Sequence, residues 1–71
     1  MSVESTIAIF LNTVETLLPA DMTVAALVQA EAADQPVAVA LNQQVLPKRL
    51  WASTKLQRQD QVLLFQLVAG G

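Results

Sequence analysis

The first 69 residues of this 71-residue chain contain no glycine, and its two glycines are Gly70 and Gly71. Glycine adopts positive φ at no steric cost, so a chain without it must build its tight turns from Asn, Asp and similar residues and mark its breaks with proline. Such a chain favours regular elements joined by short connections. At about half the usual domain length of 100–150 residues, it has room for one compact unit. We read residues 1–71 as that single domain, ending in a flexible Gly-Gly tail. A unit this small hides only roughly 60% of its unfolded surface, so it needs a strongly apolar core. With 54% hydrophobic residues, the composition supplies one.

Composition also removes whole classes of chemistry. The chain has no Cys, His or Tyr, which excludes disulfides, zinc-finger ligation, thiol nucleophiles and imidazole bases. The acids Asp21, Glu31, Asp34 and Asp60 fall at expected caps, on a helix or in turns, and no acid/base pair follows from their spacing. No catalytic residue, metal site or bound cofactor is therefore expected. Residues 1–47 carry five acids (Glu4, Glu15, Asp21, Glu31, Asp34) and no base, whereas residues 48–71 carry Lys48, Arg49, Lys55 and Arg58 against Asp60. The two parts contribute −5 and +3, which sum to the net charge of −2. That acidic balance offers no global field for phosphate backbones, so a nucleic-acid partner is not expected. Mean hydropathy is positive, at +0.46, yet no uncharged stretch approaches the roughly 18–20 apolar residues of a membrane span. Met1-Ser2-Val3-Glu4 lacks the basic start of a secretory signal, which makes the cytoplasm the expected compartment.

Periodicity divides the chain into elements. Ser5 to Leu11 alternates, with Ile7, Ile9 and Leu11 on one face and Thr6, Ala8 and Phe10 on the other, a strand pattern. Asn12-Thr13 turns the chain, Val14 to Leu18 returns as a second strand, and Pro19 breaks the run. From Thr23 to Ala33 the period becomes helical, with Val24, Leu27, Val28 and Glu31 on one face and Asp21 or Thr23 as the cap. Val37 to Leu41 is a third strand, Asn42-Gln43-Gln44 a turn, and Val45-Leu46 a brief edge strand before Pro47. Lys48 to Thr54 reads as a loop or single turn, Lys55-Leu56 as a further short strand, and Gln57 to Gln61 as a polar turn. Val62 to Val68 is the most strand-like run and leads directly into Ala69, Gly70 and Gly71. Strands on both sides of one helix predict an α+β, β-grasp fold: a mixed four- to five-stranded sheet with one main helix.

The last strand is apolar on both faces, Val62, Leu64 and Val68 on one and Leu63, Phe65 and Leu67 on the other. One helix covers one face. The far face is then either open to a partner protein or covered by a loop such as that carrying Trp51.

Glycine is about 7% of average usage, so a chance Gly-Gly ending would occur in roughly 0.5% of chains. Here the pair follows a strand of a small one-helix α+β domain. With Phe10-Leu11-Asn12, Val37 to Asn42, Val45 to Arg49, Trp51, and Asp60 to Gly71, the chain resembles the ubiquitin-like sulfur carrier proteins, most closely those of thiamine biosynthesis. One departure is Arg58-Gln59-Asp60 where the family often has Asp-Gly-Asp, which leaves the turn type open, because Gln pays for positive φ where Gly would not. The resemblance implies a protein co-substrate rather than an enzyme. A ThiF-like adenylyltransferase would use ATP and Mg to activate the Gly71 carboxylate, a persulfide-bearing sulfurtransferase would supply sulfur, and thiazole synthase (ThiG-like) would receive it from a Gly71 thiocarboxylate. Other fates for such a tail are the small subunit of molybdopterin synthase and a ubiquitin-like protein modifier. The missing side chains of Gly70 and Gly71, with the small Ala69 before them, suit a carbonyl that must enter a partner's active site. By analogy with ubiquitin-like modules, Val62 and Leu64 would point to the helix, and Leu63, Phe65 and Leu67 outward as the partner-binding residues, with Phe65 the anchor.

Overall fold

The computed structural model describes residues 5–67; Val68, Ala69, Gly70 and Gly71, on which the tail expectations fall, lie outside the described residues. The elements are β1 (Thr6–Leu11), β2 (Val14–Pro19), α1 (Val24–Ala32), β3 (Val37–Leu41), β4 (Gln44–Leu46), a 3-10 helix (Lys48–Ser53) and β5 (Gln61–Gln66). The five strands form one sheet in the order β2-β1-β5-β3-β4, with β1 and β5 parallel and the other neighbours antiparallel. The last strand in the chain thus lies at the middle of the sheet. The expected mixed sheet with one main helix is the fold observed.

The turns show how the chain manages without glycine. Asn12 (φ 50°) and Thr13 (φ 70°) join β1 to β2, and Asn42 (φ 51°) and Gln43 (φ 74°) join β3 to β4. Two consecutive residues at positive φ are what a type I′ hairpin turn requires, and its twist matches that of the strands. In both hairpins Asn takes the first position, where its side chain best tolerates that conformation. The second turn is two residues long rather than three, because Gln44 pairs with Leu41 and already belongs to β4.

Thr23 caps α1: its side chain accepts a hydrogen bond from Ala26 N at 3.1 Å. Asp21 does not serve. The helix ends at Ala33 (φ 51°, ψ −122°), with Gln35 N donating to Ala32 O at 2.8 Å. That is the first central position of a type II′ turn, where glycine is the usual occupant. Gln59 (φ 66°) is likewise held in the left-handed region, in a turn closed by Asp60 N donating to Gln57 O at 3.1 Å. A non-glycine residue in such a conformation costs of order 1–3 kcal/mol, offset by the packing around it.

Three boundaries differ from the sequence reading. Lys55-Leu56 is not a sheet strand: Lys55 makes an isolated bridge to Thr23, and Leu56 N donates to Met22 O at 2.9 Å. These two residues tie the chain to the start of the helix, beyond reach of any strand edge. Lys48–Ser53, read as a loop or single turn, is a six-residue 3-10 helix, longer than the one turn expected and preceded by Pro47 with its φ of −60°. The last strand runs Gln61–Gln66, so Leu67 falls just past it.

The core lies between sheet and helix. Ile7 and Ile9 of β1, Leu18 of β2, Val39 of β3 and Val62 of β5 meet Val24, Leu27 and Val28 of α1, and Trp51 and Leu56 close the side. Among the described residues no polar or charged side chain is buried. Trp51 is anchored by Nε1 donating to Leu46 O at 3.0 Å, which secures the short β4 to the rest. At roughly 1.5–3 kcal/mol for each fully buried aliphatic side chain, this layer supplies the main favourable term in folding. Among the described residues no helix is long and apolar enough to cross a membrane.

Candidate functional site

Strand alternation places opposite residues of paired strands on the same face. The pairs Ala8↔Leu17, Phe10↔Glu15 and Phe10↔Gln61, Ala38↔Phe65, Ala40↔Leu63 and Ala40↔Val45 therefore share the face turned away from α1. Trp51 does not cover them, because it is buried in the core on the helix side. Phe65 is 49% exposed, Leu17 70% and Val45 78%, against 0% for Val62 on the opposite face of the same strand. Ala38 and Ala40 of β3 keep the face beside β5 shallow, so Phe10 of β1 with Leu63 and Phe65 of β5 forms an apolar ridge across these two strands. A cup of about 360 Å³ opens at one end of the ridge, lined by Phe10, Leu63 and Gln61 and by the turn residues Thr13 and Gln43.

The predicted directions of Val62, Leu64, Leu63 and Phe65 are those observed. Leu67 is 53% exposed, but its neighbourhood is different. Its N donates to Pro36 O at 3.0 Å, and the residue lines a groove with Val28, Pro36, Val37 and Trp51 beside α1 rather than the open face. The sequence reading put Phe10 opposite Ile7 and Ile9 without assigning it to the same patch as Phe65. Nothing in one strand's alternation reveals that β1 and β5 are neighbours.

Two asparagines fix the strand that carries this face. Asn42 Oδ1 accepts from Gln61 N at 2.9 Å, and Asn42 N donates to Gln61 O at 2.7 Å. Asn12 Oδ1 accepts from Leu64 N at 3.0 Å, and Asn12 N donates to Val62 O at 2.9 Å. Each side chain thus continues a ladder one rung past the point where its own strand turns away. Asp60 completes the arrangement, accepting from Asn42 Nδ2 at 3.1 Å and from Gln57 N at 2.8 Å. β5 is therefore gripped at its start from both sides, and its other end leads toward residues 68–71. A rigid platform, an apolar ridge and a terminal peptide following directly from it suit docking and presentation of that peptide.

Comparison with known proteins agrees with this geometry. A family model described as the ThiS family matches residues 5–71. The sulfur carrier protein ThiS of Escherichia coli (strain K12) is 53% identical over 34 residues, which are 48% of this chain and 52% of that protein. The chain thus spans about half the length of the curated relative it matches. The crystal structure of the thiamine biosynthesis protein ThiS from Geobacter metallireducens superposes with a TM-score of 0.78 at 23% identity, covering 92% of this chain and 100% of that one. At that identity the superposition establishes the shared fold.

Proposed function

The chain belongs to the ThiS family, and we propose on that basis that it is a sulfur carrier of thiamine biosynthesis, acting as a protein co-substrate and not as an enzyme. Its working group is the carboxylate of Gly71. A ThiF-like adenylyltransferase using ATP and Mg converts that carboxylate, a poor electrophile, into an acyl-adenylate with loss of pyrophosphate. The terminal sulfur of a persulfide on the sulfurtransferase then displaces AMP to give an acyl disulfide, a second thiol breaks its S–S bond and is itself oxidised to a disulfide, and the Gly71 thiocarboxylate so released delivers the sulfur to a ThiG-like thiazole synthase. The observation that carries the reading is the family match through residue 71, which includes the terminal Gly-Gly.

The fold supports the physical side of this proposal. Ala69, Gly70 and Gly71 present little or no side chain, so the terminal carbonyl can be approached closely within a narrow channel. The ridge of Phe10, Leu63 and Phe65 provides the apolar contact that holds the carrier while its terminus reacts. An aromatic at the centre of such a patch is the residue type that most often dominates binding energy, which makes Phe65 the anchor, with Leu63 beside it and Leu67 at the base of the tail.

The test is an intact-mass measurement after incubating the protein, with a free C-terminus, with a ThiF-like enzyme, MgATP, a persulfide donor and a thiol reductant. The expected product has one carboxyl oxygen replaced by sulfur. A chain extended beyond Gly71 is expected to stay unmodified. Failure of the unextended protein to form even an adenylate, where an established carrier does so, would refute the proposal.

A further inference from the structure

β5 is a central strand in its first half and an edge strand in its second. Its ladder with β1 ends at Leu11↔Val62, because β1 turns away at Asn12-Thr13, whereas its ladder with β3 runs to Val37↔Gln66. The hydrogen bonds of Gln61 with Asn42 and of Leu67 with Pro36 turn the main-chain groups of odd-numbered residues toward β3. Those of even-numbered residues face the β1 side, as the bonds of Asn12 to Val62 and Leu64 show. Past Asn12, and among the described residues, no strand lies beside the Leu64 carbonyl or the Gln66 N–H and carbonyl. An acceptor, a donor and an acceptor therefore stand in line on an open edge just before residues 68–71.

A groove of about 500 Å³ runs along this edge. Its lining includes Leu11 and Leu64 of the sheet, Ala30 and Glu31 of α1, Asn12, and Gln66, whose Nε2 donates to Gln35 Oε1 at 3.3 Å. Glu31 is its one charged lining residue.

We propose that this edge is a β-augmentation site, on which the adenylyltransferase that activates the tail pairs an extended segment of its own with Leu64–Gln66. One side chain of that segment lies over Leu11 and Leu64, and a basic neighbour faces Glu31. The proposal rests on the carrier reading above and adds where the partner grips. The occupant follows from continuity: β5 leads straight into the tail, so a partner that holds the tail extended must run beside this edge. Strand addition would align the terminus by main-chain hydrogen bonds, leaving specificity to the groove. A second copy of this chain fits less well, because twofold pairing would bring the same acidic groove against itself.

Two measurements on the full chain test this, with a ThiF-like adenylyltransferase and MgATP as the probe. The first compares binding of Gln66→Pro and Gln66→Ala by titration calorimetry, with circular dichroism as the check on folding. Proline removes an N–H that faces the open edge and takes no part in the β3 ladder, so the sheet tolerates it. Gln66→Pro is expected to bind at least tenfold more weakly than Gln66→Ala, which lacks the same side chain but keeps the N–H. The second follows amide hydrogen exchange in the unmutated protein, where Gln66 N–H is expected to slow at least tenfold on complex formation. If folded Gln66→Pro binds as Gln66→Ala does, or if the Gln66 amide exchanges unchanged in a complex that still adenylates Gly71, the edge proposal is overturned and the carrier reading stands. If the unmutated protein is neither bound nor adenylated, the carrier reading fails and this proposal with it. Protection of Gln66 by self-association without enzyme would overturn the partner as the occupant.

Discussion

The two faces of the sheet use the same residue types for opposite ends. On the helix side, Ile7, Ile9, Val39 and Val62 are buried against Leu27 and Val24; on the other, Phe10, Leu17, Val45 and Phe65 face solvent. Alternation along β5 puts Val62 and Leu64 on the first face and Leu63 and Phe65 on the second, so one strand serves both. Hydrophobicity alone therefore does not distinguish a core position from a docking position. What separates them is whether the fold supplies a second layer, and here a nine-residue helix covers one side only. A small domain that keeps an open aromatic patch bears a solubility cost, which is the usual mark of an interaction surface.

This contrast can be broken experimentally. The largest effect is expected from Leu27→Ala, at 0% exposure the centre of the covered face. It should cost about 2–5 kcal/mol, enough to leave a domain this small partly unfolded, and urea denaturation followed by circular dichroism measures it. Next is Trp51→Phe, which deletes the Nε1 bond to Leu46 O while keeping most of the apolar volume. A loss of about 1–2 kcal/mol is expected from the stranded carbonyl and the looser fit, and thermal unfolding should show it.

Phe65→Ala probes the open face, and its signature is the reverse. Stability should change by less than about 0.5 kcal/mol, while affinity for the activating enzyme should fall about tenfold, equivalent to about 1.4 kcal/mol. Adenylation at unchanged apparent affinity would remove Phe65 from the anchor role. The smallest effect is expected from Ala33→Gly on the helix side. Relief of the positive-φ strain, less the entropy glycine loses on folding, should raise stability by about 0.5–1 kcal/mol, as thermal unfolding measures. A loss of stability would show that Ala33 is not strained.

Local pattern carried most of the elements. The alternation in β1 and β3, the helical period of Val24, Leu27 and Val28, and the Asn turns were all legible, because each is written within a few residues. Lys55-Leu56 misled, since two residues of strand-like composition carry no period, and their actual partners, Thr23 and Met22, are distant in sequence. The strain at Ala33 had no signal, because alanine is an ordinary helix residue and the II′ turn forms only where α1 must hand over to β3. Gln59 was readable as an anomaly through its departure from the sulfur carrier pattern, and it does adopt positive φ. In the candidate site, the outward direction of Leu63 and Phe65 followed from counting along one strand. That Phe10 joins them, and that Asn12 and Asn42 grip β5, depends on which strands are neighbours.

The sequence by itself determined the fold class, the direction of each side chain on its own strand, and a glycine-free body ending in Gly70-Gly71, because propensity and periodicity act over short range. Only the tertiary structure decided that the last strand lies at the centre, that its first half is paired on both sides and its second half open on one, and that a single apolar ridge crosses from β1 to β5. Those properties arise from pairing between segments up to 52 residues apart, as between Asn12 and Leu64, and no local pattern encodes which strand edges will meet.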